Sequence, residues 1–233
     1  MKTIVSTREE TLKNAADALG RVLEEKPDAV LALSAEEDCL ALYETVAEEC
    51  ALGRPGLFRA RIFSVEELEG MPASEANSRG AKLRAVLEKS GARADNLTLL
   101  SEENAADYDA LIAAAGGIDL AVLSLGINAR VGFNEPATPF DTRTHRQKLA
   151  PATRRELAES FGGEERVPVF GLTMGIKTLV EARETLIVSL GASHAKAVFD
   201  SLYGRDDSTV PAAFLQLYPN VTLYLDEESA AKL

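Results

Sequence analysis

The sequence predicts an α/β protein: a doubly wound, mostly parallel sheet with helices on both faces, Rossmann-like in plan. Three observations carry this reading. Short β-rich apolar runs alternate with longer segments of helical period, as in chains that lay helices against a parallel sheet. No internal repeat, low-complexity tract or linker divides the chain, so residues 1–233 are expected to form a single domain. At 233 residues and 46% hydrophobic content the chain is long enough to bury a full core.

The strand candidates, in order, are Ala29–Ser34 (AVLALS), Phe58–Ser64 (FRARIFS), Asn96–Leu100 (NLTLL), Ile118–Gly126 (IDLAVLSLG), Val167–Thr173 (VPVFGLT), Thr185–Gly191 (TLIVSLG) and Val221–Asp226 (VTLYLD). Helices are expected between them. The segment Glu36–Gly56 places Leu40, Tyr43, Val46 or Ala47, and Cys50 on one face, and Gly53 with Pro55 stops it. Glu75–Gly91, Glu102–Gly117 and Ala192–Gly204 behave similarly.

Twenty-five basic against 37 acidic residues give a formal net charge of -12. Nonspecific attraction to nucleic acid or to an anionic membrane is thereby disfavoured, and an anionic ligand needs a local basic pocket. Cys39 and Cys50 fall on one predicted helix without paired-cysteine spacing, and His145 and His194 are the only histidines. Reduced structural cysteines and no metal centre are expected. The first residues, MKTIVSTREE, lack the apolar core of a signal peptide, and no apolar run approaches the roughly 20 residues of a spanning helix. A cytoplasmic protein is the expectation.

In open parallel sheets ligands sit beyond the carboxyl ends of the strands. Three exits carry polar clusters: Ser34–Asp38 (SAEED), Ser64–Gly70 (SVEELEG) and the loop Gly126–Pro136 (GINARVGFNEP). Their convergence is the expected site.

The stretch SLGINARVGFNEP, followed by PFDTRT, resembles the signature of glucosamine-6-phosphate deaminases and galactosamine-6-phosphate isomerases, approximately G-I-G-x-N-G-H-I-G-F-N-E-P and then S-R-T. The resemblance continues through VPVFGLTMGIKTLVEARETLIVSLG and PAAFLQLYPNVTLYLDEE, and so covers essentially the whole chain. It implies a fold of the glucosamine-6-phosphate deaminase type, related to 6-phosphogluconolactonases. It also implies a sugar-like small molecule as ligand and chemistry by enolisation, which needs no cofactor. Assembly differs within the family, so a monomer and a homo-oligomer both stay open.

The resemblance puts catalytic roles on four positions. Glu66 stands where the family has an aspartate base, one methylene longer, with Glu67 following it. Asn128 and Glu135 match the family's catalytic loop. Arg130 stands where the family has its ring-opening histidine; a guanidinium stays protonated above pH 12 and cannot shuttle a proton near neutrality. Either an ion pair with Glu135 filling the pocket or a side chain in solvent is expected of it.

At the family's T-G-S-T phosphate loop this chain has Ala35, Glu36, Glu37 and Asp38, following Ser34. A carboxylate about 5 Å from one phosphate charge costs roughly 3 kcal/mol at an effective dielectric near 20. Carboxylates are also favourable at a helix start, by about 0.3 to 1 kcal/mol each. Further family phosphate contacts fall on Glu159 and His194, with Lys196 two residues on, and the C-terminal P-A-S and Q-x-H elements fall on Ala213 and Tyr218. Ser34, Ala35, Glu36, Glu37, Asp38, Glu67, Glu159 and His194 are therefore the candidate ligand-binding set. Three readings stay open: a diverged enzyme for a non-phosphorylated amino sugar, a non-catalytic protein binding a metabolite or partner, and the ordinary hexosamine-6-phosphate reaction.

Overall fold

The computed structural model describes residues 1–72, 74–204 and 209–233. Its elements are β1 (Lys2–Ser6), α1 (Arg8–Glu25), β2 (Val30–Leu33), α2 (Glu37–Ala51), β3 (Arg61–Ser64), β4 (Glu66–Leu68), α3 (Arg79–Leu87), β5 (Leu97–Thr98), α4 (Tyr108–Ala114), β6 (Leu120–Ser124), β7 (His145–Lys148), α5 (Pro151–Phe161), β8 (Phe170–Thr173), α6 (Ile176–Val180), β9 (Glu184–Ser189), α7 (Ala195–Tyr203) and β10 (Val221–Asp226).

Seven strands form a parallel sheet in the order β1-β10-β9-β6-β2-β3-β5. Because successive side chains point to opposite faces, one strand feeds two cores. Val30 and Ala32 join Leu123, Ile187, Tyr108 and Val198 on one face, whereas Leu31 and Leu33 join Val122, Leu186, Leu19 and Leu42 on the other. The doubly wound expectation holds. A second, antiparallel sheet has the order β4-β8-β7, with β4 following one residue after the end of β3.

That second sheet is where the sequence misled. Val167–Thr173 reads as a core strand, yet the strand it forms, Phe170–Thr173, pairs antiparallel with Glu66–Leu68 and His145–Lys148. Glu66, expected in a polar strand exit, is consequently the first residue of a strand. β1 and α1 also escaped notice, because Lys2–Ser6 is half-exposed and short of apolar residues. Thr7 and Glu10 nevertheless form a capping box at the start of α1. On α2 the buried seam is Cys39, Leu42, Tyr43 and Val46; Leu40, Ala47 and Cys50 lie only half-buried beside it. No described helix is long and apolar enough to cross a membrane.

Candidate functional site

Beyond the carboxyl ends of β2 and β6 lies a cavity of about 640 Å³. Glu36, Glu37 and Asp38 from the start of α2, Arg79 and Lys82 from α3, Ser124 at the end of β6 and Ile127 after it, Glu156 and Glu159 from α5, and Ser193 and His194 before α7 line it. Two of the three expected exits meet here; the Ser64–Gly70 exit contributes nothing to the wall.

The start of α2 is closed by its own side chains. Glu36, the N-cap, makes no side-chain cap and turns away from the helix instead. Its Oε1 accepts from Arg130 Nη1 at 2.7 Å and from Arg79 Nη2 at 3.1 Å. Burial pushes the Glu36 carboxyl up, but the two guanidinium groups outweigh it and hold the pKa at about 2. Arg130 is 0% exposed; its Nη1 also donates to Gly132 O and its Nη2 to Glu156 Oε2 at 3.1 Å. Burial disfavours its charge, yet Glu36 and Glu156 raise its pKa above the ordinary arginine value. Phe133 lies 5.6 Å from the Arg130 guanidinium and 5.7 Å from that of Arg79, so one ring carries both cations.

Both expected outcomes for Arg130 are thereby corrected. It is neither in solvent nor paired with Glu135, because the loop folds it inward towards α2. Ala129 sits at φ 60 and Gly132 at φ 56, and Gly126 N donates to Arg130 O, which turns the chain back on itself. A Cβ on Gly126 would stand 2.5 Å from Arg130 Cγ, so the bare glycine gives the side chain its route. Glu135 instead accepts from Asn128 Nδ2 at 2.8 Å and from Ala150 N at 3.0 Å, bracing the loop against the start of α5. Asn134 Nδ2 donates to Val131 O and Met174 O, tying the same loop to β8.

Glu66 is fully buried behind this pair and does not line the cavity. Its Oε1 accepts from Ala35 N at 2.6 Å and Ser34 Oγ at 3.0 Å, while Oε2 has no partner among the described residues. Burial and then the nearby Glu36 charge raise its pKa to about 7. Ser34 and Ala35 serve Glu66 and the Arg79 contact, through Ala35 O, rather than the cavity. Glu67 was placed among ligand contacts, but both its oxygens are occupied: Oε1 by Leu68 N and Arg79 N, Oε2 by Ser78 Oγ and Gly80 N. It closes the N-terminus of α3.

Glu37 is exposed and pairs with Lys82 at 2.8 Å. Asp38 Oδ2 accepts from Ser124 Oγ and Leu190 N, both at 3.1 Å. Burial raises its pKa, and His194 opposes that. His194 Nδ1 lies 2.8 Å from Leu190 O. Glu159 is exposed on the rim, Lys196 pairs with Asp200 outside the cavity, and Ala213, in a 3-10 turn, and Tyr218, just after that turn, do not line it. Sequence reasoning missed Arg79, Lys82, Ser124, Glu156 and Ser193. The SRGAK stretch carries a weak signal, since Ser78 caps α3 and thereby fixes where Arg79 points.

No protein-family model matches the chain. It is 35% identical over 226 residues to a glucosamine-6-phosphate deaminase of Streptomyces avermitilis, covering 94% of this chain and 87% of that one. The chain belongs to the glucosamine-6-phosphate deaminase family. A family member from Rhodopirellula baltica is 35% identical over 238 residues, covering 99% of this chain and 94% of that protein. Among solved structures, a monomeric glucosamine-6-phosphate deaminase superposes with a TM-score of 0.96 at 28% identity, over all of both chains. The 6-phosphogluconolactonase of Trypanosoma brucei, at a TM-score of 0.76 and 17% identity over 100% of this chain and 99% of that one, shares the fold.

Proposed function

We propose that this chain is a single-domain, diverged member of the family that takes a non-phosphorylated, amine-bearing sugar into the acidic cavity. On this reading the standard turnover of glucosamine 6-phosphate is weak or absent. The observation that carries it is the buried Glu36–Arg130 pair: the same contact fills the start of α2 with a carboxylate and fixes a guanidinium that cannot exchange a proton. Relatives are named for a sugar phosphate, and the resemblance implies that Ala35, Glu36, Glu37 and Asp38 stand in register with the family's phosphate loop. The cavity wall carries Glu36, Glu37, Asp38, Glu156 and Glu159 against Arg79, Lys82 and, buried behind Glu36 and Glu156, Arg130, an acidic excess that favours a neutral or cationic ligand.

The test is thermal stabilisation of the purified protein by millimolar glucosamine, glucosamine 6-phosphate or inorganic phosphate, with product followed by NMR. Glucosamine is expected to stabilise, and the two phosphates are not; stabilisation by either phosphate overturns the reading. A second reading, a non-catalytic binding protein, is favoured by the absence of Glu66 and Glu135 from the cavity wall. Turnover of glucosamine that Glu66→Gln abolishes would sink that second reading.

A further inference from the structure

The cavity holds one group whose orientation selects what it can bind. His194 lies on its wall, in the turn that precedes α7. Nδ1 is 2.8 Å from Leu190 O, and a carbonyl oxygen only accepts, so Nδ1 carries the hydrogen. Asp38 Oδ2 lies 3.7 Å from the same nitrogen, beyond hydrogen-bond reach, and is itself held by Ser124 Oγ and Leu190 N. In the neutral ring this leaves the lone pair on Nε2, which makes no hydrogen bond among the described residues. The other imidazole, His145, has both nitrogens engaged, by Arg143 O and Gln147 Oε1, and lies outside the cavity.

We infer that His194 contacts ligand in this cavity as an uncharged hydrogen-bond acceptor, through Nε2, selecting an ammonium or hydroxyl donor. The Leu190 carbonyl, 2.8 Å from Nδ1, holds the ring in the accepting tautomer. The inference deepens the amino-sugar reading above and rests on it. In that tautomer Nε2 offers a lone pair and no hydrogen to a phosphate oxygen, so the ring and the acidic wall discriminate in the same direction.

Nitrogen NMR of the imidazole at pH 8 in the ligand-free protein reads the tautomer directly. The hydrogen is expected on Nδ1; finding it on Nε2 overturns the inference without touching the proposed function. The second measurement is glucosamine affinity of two variants whose unfolding midpoints match the parent. His194→Asn retains a donor towards Leu190 O but has nothing at the Nε2 position, and about tenfold weaker binding is expected. His194→Gln places an amide near the Nε2 position and is expected to recover most of the affinity. Unchanged affinity in His194→Asn overturns the role of His194 alone, whereas a parent protein that binds no glucosamine overturns the proposed function together with it.

Discussion

Arg130 Nη1 lies 2.7 Å from Glu36 Oε1, joining the loop after β6 to the first residue before α2, with both side chains withdrawn from water. A buried pair of this kind is a weak source of net stability but a severe loss when one partner is removed, since the other is left charged and unsolvated. Arg130→Met is expected to destabilise the fold by about 3 kcal/mol in denaturant unfolding. Glu36→Gln added to it should recover at least about 1 kcal/mol. Simple additivity of the two substitutions would show that the residues are not coupled.

Two of the buried carboxyls, Glu66 and Glu36, respond to pH in opposite senses. Glu66, raised to about 7, lets the folded protein bind more protons than the unfolded chain between about pH 4.5 and 7. Its contribution is complete below the ordinary carboxylate value and is lost as pH rises through 7. Glu36, held at about 2, contributes above the ordinary value and loses that only as pH falls towards 2. Unfolding free energy measured from pH 4 to 8 should therefore decline, by up to about 3 kcal/mol from Glu66. Glu66→Gln should flatten most of the decline; an unchanged slope would refute the assignment.

Glycine replacements separate backbone room from backbone freedom. Gly20→Ala, inside α1 with nothing within 4 Å of the new methyl, is expected to stabilise by about 0.4 to 1 kcal/mol. Gly126→Ala drives a methyl against the Arg130 stem and is expected to cost about 1 to 3 kcal/mol. Arg130→Ala in the same chain should remove that clash, so the cost of Gly126→Ala should shrink in thermal unfolding of the double variant.

Glu67 accepts four hydrogen bonds, three of them from residues opening α3. Glu67→Ala is expected to cost about 3 kcal/mol, because buried donors are left without acceptors. Where the variant remains folded, its affinity for glucosamine should match the parent. A selective loss of affinity at constant stability would return Glu67 to the ligand-binding set.

The sheet was legible in the sequence because its central strands are buried on both faces, and a strand so placed is apolar along its length: Val30–Leu33, Leu120–Ser124, Glu184–Ser189 and Val221–Asp226 lie inside the expected runs, apart from Glu184 at the very edge. Family membership was legible for a related reason, since the GFNEP loop is itself structural: Phe133 carries two cations, Asn134 ties the loop to β8, and Glu135 braces α5. The sequence also supplied the substitution that matters, an arginine that cannot exchange protons. Where that arginine goes was a tertiary matter. Nothing local distinguishes Glu135, five residues away, from Glu36, 94 residues away, as its partner; the decision lies in the packing of α2, α3 and the loop after β6 around Phe133. The same holds for Glu66 and Glu67, adjacent carboxylates that β4 points to opposite sides, one towards Ser34 and the other towards the start of α3. Sequence alone determined which charges the chain carries, whereas the long-range contacts decided which of them neutralise each other and which are left to meet a ligand.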